Sequence, residues 1–535
     1  MGLMMLRDFA EGKMPASKLQ EYAHAAVKSG ANAPDLAKMA QLGAYGNSSQ
    51  NAHRDLMKFA FSNVMAPRLT FVETNVSFRD LATGERKVTP KNVPVLLLGR
   101  LPHLWIESLD KGGVLESITA STSALKQYWS EVNFKSPQMK DPFWKTFSVQ
   151  KELPIPLLIH GDHASFSETD SMLVVSIRCL ISDRSIKSSE LLLACLPKDA
   201  NAGSWTALWK ELTASLSVLA AGKRPDGKPL RRCVLMAVAG DLEFFAQEFG
   251  WPTALSNQPC PYCKADNLFN KDKEVAPFND FRPCAAWRGM LKAPPNNGHL
   301  LFSVPGVNAW SLKLAHLFGN LLYDLVQDEL PGSSFLERIM ETYVELGIPA
   351  NRRIPKIAKT NLVGASDYPC LLHIKGRKIR DFADVAVVLA NKFTGTEEGR
   401  HRAEACKAMK TLYDLADRKE WFWSSKNHEK FDKAVHAFLS HYAYLAKAAF
   451  RKGKTRYSIV QKFHLLAHFP EQCRWATPRT CWTYGPESFM SIVKRIASSC
   501  DRGTAAWQVP EKVCSKFALF HDLILKGWLD MDQED

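Results

Sequence analysis

Long hydrophobic runs are missing from this sequence of 535 residues. No segment reaches the roughly 18–20 uninterrupted apolar residues that a membrane-spanning helix requires. The first residues, MGLMMLRDFAEGKMP, contain too short an apolar run for a secretory signal. Leu6 also stands where a myristoylation motif would have Ser or Thr. We therefore expect a protein that neither spans a membrane nor carries a lipid anchor.

Cysteine is sparse as well, with 12 residues in the whole chain, which excludes a small disulfide-stabilised scaffold. Most of these cysteines occur singly in apolar stretches, which predicts reduced, buried thiols in an intracellular protein. Internal repeats and low-complexity tracts are absent. A Walker loop, a GxSxG motif and a GxGxxG motif are also absent, so the common nucleotide-binding and serine-hydrolase signatures give no guidance.

Acidic residues are fewer than basic ones: 55 Asp and Glu stand against 69 Lys and Arg, a formal net charge of +14. Such an excess favours an acidic partner such as nucleic acid. The alternative is a modestly basic protein without such a partner, and the charge alone does not choose between the two.

The length predicts two to four domains. Residues 1–149 alternate helical and β-like patterns and have no assignable role. From residue 150 to 270, three buried-strand patterns, a helix and a fourth buried strand predict a mixed α/β core whose central strand is covered on both faces. Residues 271–475 are mainly helical, and residues 476–535 carry a final pair of helices.

Two aspartates, Asp162 and Asp241, each follow a glycine at the end of a strongly apolar run. Strand ends are common places for working residues in α/β proteins. Two carboxylates on neighbouring strands can bind a hard divalent cation such as Mg²⁺ or Mn²⁺. The alternative is that each Gly-Asp pair is a turn, since Asp is a favoured turn residue.

Glu487 precedes a stretch with helical periodicity, YGPESFMSIVKRIASSC. Its apolar positions fall on one face of a 3.6-residue helix, and they are Phe489, Ile492, Val493, Ile496 and Ala497. Glu487 falls on the opposite face with Lys494, and Arg495 lies at the edge of that face. The functional interpretation is an acid and two cations directed at a phosphate backbone. The alternative is a helix-start carboxylate favoured by the helix dipole.

Cys260 and Cys263 form a CxxC pair, a spacing at which two thiolates can share one zinc ion. A structural zinc site needs two further ligands, and we consider Cys284, His299 and His316 as candidates. A redox-active pair is disfavoured because the motif does not open a helix after a thioredoxin-like strand. Uncoordinated thiols remain the alternative to zinc.

His464 and His468 are four residues apart and can share a helix face. The glutamate of an HExxH motif is missing, so a zincin-type site is excluded. Packed, hydrogen-bonded histidines are the favoured interpretation.

Taken in order, these stretches resemble the catalytic region of eukaryotic cut-and-paste transposases of the CACTA (En/Spm) and KDZ-like kind. LLIHGD resembles the strand with the first catalytic aspartate, and VLMAVAGDLEFFAQEFGW with NQPCPYC resembles the second such strand with its cysteine knuckle. VPGVNAWSLKLAHLFGNLLYDL resembles the segment with a D/C-x-x-H element. KFHLLAHFPE and YGPESFMSIVKRIASSCDRGT resemble the end of the insertion and the glutamate helix. The resemblance covers about residues 150–515.

The resemblance implies an RNase H-like fold with a large helical insertion, and a transposase that cleaves and transfers DNA strands. Asp162, Asp241 and Glu487 would be its DDE triad and would bind two Mg²⁺ or Mn²⁺ ions. The implied phosphate contacts are Lys494, Arg495 and Arg502, and the implied histidine, also a candidate zinc ligand, is His316. Lys313 departs from the expected Asp or Cys, which keeps open a degenerate or domesticated copy.

Nuclear localisation and DNA as the partner follow from the resemblance only. Formation of a homo-oligomer stays open, because neither the residues nor the resemblance decides it. Two alternatives to a transposase remain: a catalytically inactive, transposon-derived nucleic-acid-binding protein, and an intracellular helical scaffold.

Overall fold

The structure is a computed structural model. It describes residues 2–44, 51–61, 70–73, 77–79, 83–88, 94–98, 101–136, 139–197, 202–266, 277–282, 284–307, 312–314, 334–354, 382–454, 457, 459–474, 476–478, 484–501, 504 and 506–525. The chain divides into two compact units. Unit 1 comprises Met1–Phe244, Gly298–Lys313 and Gly485–Asp535, and unit 2 comprises Phe245–Asn297 and Leu314–Tyr484.

Helices occupy about half of the described part of unit 1. Their bounds are α1 Gly2–Ala10, α2 Ala16–Lys28, α3 Pro34–Ala40, α4 Ala52–Phe61, α5 Pro102–Lys111, α6 Leu115–Ile118, α7 Thr122–Glu131, α8 Val149–Glu152, α9 Ile186–Ser189, α10 Ala202–Ala221, α11 Leu242–Phe249, which continues into unit 2, and, near the C-terminus, α17 Tyr484–Asp501 and α18 Val509–Leu525. Single 3₁₀ turns lie at Pro142–Lys145, Leu300–Ser303 and Ala506–Gln508.

One seven-stranded sheet forms the centre of unit 1. The strands are β1 Thr70–Glu73, β4 Pro94–Leu98, β5 Ile155–Ser165, β6 Ser171–Cys179, β7 Leu191–Pro197, β8 Cys233–Gly240 and β9 Leu312–Leu314, and β2 Ser77–Arg79 with β3 Arg86–Val88 makes a separate hairpin. The sheet order is β1-β4-β7-β6-β5-β8-β9. Strands β5, β6 and β7 are antiparallel, whereas β8 lies parallel to β5 on its other side. The chain is therefore a mixed α/β protein, as the sequence predicts.

The predicted succession of three strands, a helix and a fourth buried strand corresponds to β5, β6, β7, α10 and β8. Every residue of β7 and β8 is buried, because helices or neighbouring strands cover these apolar segments. The N-terminal region contributes β1 and β4 to the same sheet, since β4 pairs with β7.

Strand β5 is longer than its apolar run. The sequence predicts a strand that ends at Gly161-Asp162, but β5 continues to Ser165 because β6 pairs with it as far as Ser171. Asp162 consequently lies inside a strand and not in a turn.

Helix α17 buries the predicted apolar face. Phe489, Val493 and Ile496 are fully buried in a hydrophobic cluster with Ala164 of β5 and Val174 of β6. The same cluster includes apolar residues of α1 to α4 and α18. The N-terminal helices are thus part of the core of unit 1.

Unit 2 is mainly helical in its described part. Its helices are α12 Ser334–Glu345, α13 Ala383–Lys392, α14 Glu397–Ala416, α15 Ser425–Arg451 and α16 Gln461–Gln472, with 3₁₀ turns at Pro277–Asn279, Ala286–Gly289 and Ala350–Arg352. A cluster that includes Tyr343, Phe382 and Leu389 packs α12, α13 and α14 together. These helices lie between residues 271 and 475, the region for which the sequence predicts mainly helices.

Helices suited to a membrane are not found in the described ranges, because none is both long enough and apolar enough to cross a bilayer.

Candidate functional site

The two predicted aspartates lie side by side in unit 1. In the parallel pair β5–β8, Gly161 is the register partner of Gly240, so Asp162 and Asp241 directly follow two paired glycines. Asp162 is half-buried within β5, and Asp241 is half-buried between β8 and α11. The two strands are neighbours in the sheet, so the backbones of Asp162 and Asp241 lie close together.

A close approach of Phe244 explains the two glycines. A Cβ atom added to Gly161 would lie 2.2 Å from the Phe244 ring, and one added to Gly240 would lie 2.3 Å from it. Asp241 Oδ1 accepts a hydrogen bond of 2.7 Å from the backbone N–H of Phe244, which is the usual role of an N-terminal capping residue. Asp241 thus starts α11, and its Oδ2 is the oxygen left for another ligand.

Asp162 shares a sheet face with α17. Side chains alternate along a strand, and directly opposite residues of an antiparallel pair point to the same side. Asp162 is opposite Val174, and Val174 packs in the cluster that α17 completes. Asp162 Oδ1 also accepts a 2.7 Å hydrogen bond from the N–H of His163. The carboxylate is therefore on the side of the sheet that α17 covers.

Glu487 belongs to the first turn of α17, which begins at Tyr484. Its backbone is described, whereas its side chain lies outside the described part of the chain. Because α17 packs on the face that carries Asp162, the third predicted carboxylate is on the appropriate helix.

The three residues predicted to contact phosphate differ in exposure and in ion pairing. Lys494 is exposed on α17. The Arg495 guanidinium lies 3.6 Å from Glu11 Oε2, and Lys13 lies 2.7 Å from the same carboxylate. Arg495 is thus already paired. Arg502 lies outside the described residues.

The D/C-x-x-H element is described only in part. His316 lies outside the described residues, and the Lys313 backbone is in β9. The structure therefore does not place the predicted histidine.

A second candidate site lies in unit 2. The ligand atoms of two cysteines and two histidines all lie within 4.8 Å of one another, and all four residues, Cys260, Cys263, His464 and His468, are buried. The cysteines come from the loop after α11, and the histidines are one turn apart on α16. This is the only such group among the described residues.

The distances in this cluster fit a tetrahedral ion. Cys260 Sγ lies 3.4 Å from His468 Nε2, and Cys263 Sγ lies 3.2 Å from His464 Nε2. The two Nε2 atoms are 3.1 Å apart. A tetrahedral zinc with Zn–N near 2.0–2.1 Å and Zn–S near 2.3 Å separates its ligand atoms by about 3.3–3.8 Å. The three separations, 3.4, 3.2 and 3.1 Å, lie at or just below this range.

Outer contacts orient the four side chains. His464 donates from Nδ1 to the carbonyl of Phe278 at 2.6 Å, which leaves its Nε2 lone pair for the centre of the cluster. The backbone N–H groups of Tyr262 and Ala265 donate to Cys260 Sγ and Cys263 Sγ at 3.3 and 3.4 Å. Such bonds stabilise thiolates and fix the loop.

Aromatic side chains enclose the cluster. The ring of Trp287 lies 4.7 Å from the rings of both His464 and His468, and Phe278 stacks on His464 at 4.2 Å. Water is thereby kept from the centre of the group.

The protonation of the cluster also suits a metal. Hydrogen bonding from Cys260, and then from the histidines, lowers the pKa of Cys263, whereas burial raises the pKa of Cys260. Burial lowers the pKa of His468, which keeps this imidazole neutral. A bound cation would favour deprotonation of the second thiol as well.

The predicted zinc ligands are only partly those of the cluster. Cys260 and Cys263 belong to it, but Cys284 is exposed, and His299 accepts a hydrogen bond from the N–H of Leu301. His464 and His468 are buried and hydrogen-bonded as expected, and their partners include the two cysteines. The sequence did contain a signal for this site. It has one CxxC pair and one i, i+4 histidine pair, and each pair needs two further ligands to complete a four-ligand zinc site.

Comparison with known proteins adds no assignment, since no protein-family model matches the chain and no curated protein matches it.

Proposed function

We propose that the chain is a transposase-like protein that cleaves and transfers DNA strands at a site formed by Asp162, Asp241 and Glu487. The observation that carries the proposal is the β5–β8 register, in which Gly161 pairs with Gly240 and the two aspartates follow. Helix α17, which carries Glu487, packs on the sheet face of Asp162. Nuclear localisation and DNA as the partner are parts of the same proposal.

The order of the strands supports an RNase H-like core. Such a core has three antiparallel strands followed, after a helix, by a strand parallel to the first and on its other side. Strands β5, β6 and β7, helix α10 and strand β8 follow this order. The mainly helical unit 2 would correspond to the insertion before the glutamate.

The three carboxylates would hold Mg²⁺ or Mn²⁺, which are hard cations that prefer oxygen ligands. In a two-metal site these ions activate the attacking hydroxyl and stabilise the leaving oxygen. Asp162 is fixed by two neighbouring strands, and Asp241 is fixed by its bond to Phe244 N–H. The exposed Lys494, about two turns after Glu487 on α17, would contact a DNA phosphate without reading the sequence.

Metal-dependent nicking of supercoiled DNA tests this proposal. With Mn²⁺ or Mg²⁺, we expect nicking by the wild-type protein and its loss in Asp241→Ala and Glu487→Gln. Asp183→Asn is the matched control, because Asp183 is a highly exposed carboxylate of the same unit outside the proposed site.

Equal nicking by the wild-type protein and Asp241→Ala would contradict the proposal. Salt-dependent DNA binding without any nicking would instead identify a catalytically inactive, transposon-derived protein. Absence of DNA binding even at low salt would favour the remaining alternative, an intracellular helical scaffold.

The second part of the proposal is a structural zinc ion held by Cys260, Cys263, His464 and His468. Four protein ligands leave no open position, which is typical of structural and not of catalytic zinc. The ion would connect the loop after α11 to α16, where Gln461 of α16 also donates a hydrogen bond to the carbonyl of Pro252 at 3.0 Å.

Metal analysis of the purified protein tests the zinc site. We expect one zinc per chain, lost in Cys263→Ala together with a lower unfolding temperature. Cys284→Ala is the matched control, since Cys284 is exposed and lies outside the cluster. A metal-free wild-type protein that takes up no zinc on titration would contradict this assignment.

A further inference from the structure

A cleft in unit 2 lies beside the cysteine–histidine cluster. It has a volume of about 210 Å³ and is lined by residues of α15, α16 and the 3₁₀ turn at Ala286–Gly289, with His468 of the cluster among them. Leu291, Ala467 and Pro470 give part of the lining an apolar character. A cavity of about 150 Å³ can hold a benzene ring, so this cleft has room for a planar ring system the size of a purine.

Arg288 lines this cleft with a charge that has no direct counter-ion. Its side chain is half-buried, and its guanidinium carbon lies 4.6 Å from the centre of the Trp287 ring. Nε donates to the carbonyl of Arg282 at 3.3 Å, and one N–H of Nη2 donates to His436 Nε2. Burial lowers the pKa of Arg288, and no carboxylate among the described residues forms an ion pair with it. The edge of the guanidinium formed by Nη1 and Nη2 is therefore left for a ligand.

Asp432, on α15, supplies an acceptor in the same cleft. The carboxylate is half-buried, and its Oδ1 lies 3.2 Å from Nδ1 of His436. The backbone carbonyl of Asp432 accepts a hydrogen bond from the same nitrogen at 2.8 Å. His436 thus connects Asp432 to Arg288 and fixes both side chains. Oδ2 of Asp432 is the oxygen that this network does not use.

The remaining polar groups of the cleft satisfy one another. Glu471 and Arg474 are exposed and form a 3.0 Å ion pair. His428 uses its Nε2 for the carbonyl of Pro470 at 2.7 Å. The two arginines and two carboxylates of the lining balance in charge, so a strongly anionic ligand gains no net attraction. A neutral ligand that carries two acceptors next to N–H donors suits this arrangement.

We propose that the cleft binds a guanine base. Guanine presents O6 and N7 as a pair of acceptors, which is the pattern that an arginine recognises with two N–H groups. Its N1–H and 2-amino group, on the adjacent edge, would donate to Asp432. Adenine carries an amino group in place of O6 and lacks N1–H, so it fits neither partner. Apolar lining on the faces of a ring and a few placed polar groups at its edges are typical of ligand pockets.

This inference goes beyond the proposed function, because the cleft uses none of the carboxylates Asp162, Asp241 and Glu487. The base could belong to a free guanine nucleotide or to an unpaired position of a nucleic-acid strand. Only the choice of DNA as that strand rests on the proposed function. The experiment therefore measures the recognition of the base first and its source second.

Isothermal titration calorimetry of the full chain with GMP, IMP and AMP tests the recognition. The buffer contains no EDTA, phosphate, Mg²⁺ or Mn²⁺, so that zinc stays bound and no cleavage occurs. We expect GMP to bind at least about tenfold more tightly than AMP. IMP, which keeps O6 and N7 but lacks the 2-amino group, should fall between them. Arg288→Lys keeps the charge but loses the planar pair of donors, so it should weaken GMP binding at least about tenfold.

Asp432→Asn gives an independent readout. It should remove the preference for GMP over IMP, because an amide cannot accept both donors of the guanine edge. The matched controls are Arg400→Lys, at an exposed position on α14, and Glu429→Gln, an exposed carboxylate one turn before Asp432. Both controls lie outside the lining of the cleft and should bind GMP as the wild-type protein does. Zinc content and thermal melting check that each variant is folded.

Fluorescence anisotropy identifies the source of the base. It compares a labelled strand of thymine nucleotides that carries one central guanine with a strand of thymine nucleotides alone. Tighter binding of the first strand, lost in Arg288→Lys, would show that the cleft takes a base from a nucleic acid. GMP binding without such a difference would show that it takes a free nucleotide. Either result supports the recognition of guanine.

Equal affinity for GMP and AMP would overturn the inference, and so would wild-type GMP binding in both Arg288→Lys and Asp432→Asn. Absence of GMP binding together with equal binding of the two strands would overturn it as well. Displacement of GMP by inorganic phosphate would show that the cleft recognises the phosphate and not the base. GMP binding in Asp241→Ala should equal that of the wild-type protein. Guanine recognition without metal-dependent nicking in any variant would retain the cleft and remove the transposase.

Discussion

The imidazole of His53, on α4, lies in a cationic part of the core of unit 1. Its ring contacts Phe9 edge to face at 5.5 Å, and its Nε2 is buried without a hydrogen-bond partner among the described residues. Lys516, only 1% exposed, lies close by, with its Nζ 4.2 Å from the Phe9 ring and bonded to Ser499 Oγ at 2.8 Å. A proton on His53 is therefore unfavourable in the folded state.

Acid should destabilise unit 1 through His53. Burial, and then the charges of Lys516 and Lys512, lower the pKa of His53 from 6.5 to about 4. Between these two values the unfolded chain binds the proton and the folded chain does not, so stability falls as the pH is lowered. Because this ring is partly exposed and solvent screens its interactions, the loss amounts to about 1–3 kcal/mol below pH 4.

We expect His53→Asn to lose this component of the pH dependence, measured as the free energy of unfolding in urea at pH 7.5 and pH 5. His24→Asn is the control, since His24 is exposed on α2. A pH dependence that is the same in His53→Asn and in the wild-type protein would contradict the argument.

At the scale of elements, the glycine pair of β5 and β8 is a packing requirement of Phe244. Gly161→Ala would place a methyl group 2.2 Å from the Phe244 ring. We expect a destabilisation of about 1–3 kcal/mol, the usual cost of an overpacked core, measured by urea unfolding. The cost should shrink in a Phe244→Ala background, because the two positions share the contact.

Gly395→Ala is the control for this prediction, since nothing lies within 4 Å of the added Cβ there. Its stability should stay within about 0.5 kcal/mol of that of the wild-type protein. Equal costs for Gly161→Ala with and without Phe244 would show that the ring is not the cause.

Periodicity predicted the elements well where one face is buried locally. The sequence predicted every residue of the apolar face of α17, because these residues follow the 3.6-residue spacing of a helix. The extension of β5 past Asp162 was not predictable, because it depends on pairing with β6. Membership of His464 and His468 in the cluster was also missed, since 201 and 208 residues separate them from their cysteine partners.

At the scale of the whole molecule, the two units should respond separately to loss of zinc. The cluster lies in unit 2, whereas the sheet lies in unit 1. After chelation we expect faster hydrogen exchange in the loop around Cys260 and in α16. Exchange in β5 and β8 should be unchanged. Equal acceleration in all four segments would show that zinc stabilises the protein as a single unit.

The division into units was less accessible to sequence reasoning than the elements were. The sequence suggested four successive segments, but unit 1 collects stretches from both ends of the chain and Gly298–Lys313 from between them. Such long-range assembly leaves no periodic signal in the sequence. The amphipathic pattern of each stretch shows that one face is buried, but it does not show which other stretch buries it.

This interleaved arrangement has a consequence for biosynthesis. When a ribosome has added residues up to Gln472, all four members of the cysteine–histidine cluster exist, and so do β5 to β8. Helices α17 and α18, which cover one face of the sheet, do not. Since domains fold as units while the chain emerges, unit 2 can become compact first. Until α17 and α18 have been synthesised, one apolar face of the sheet stays exposed to water. Chaperones would be needed most during this interval.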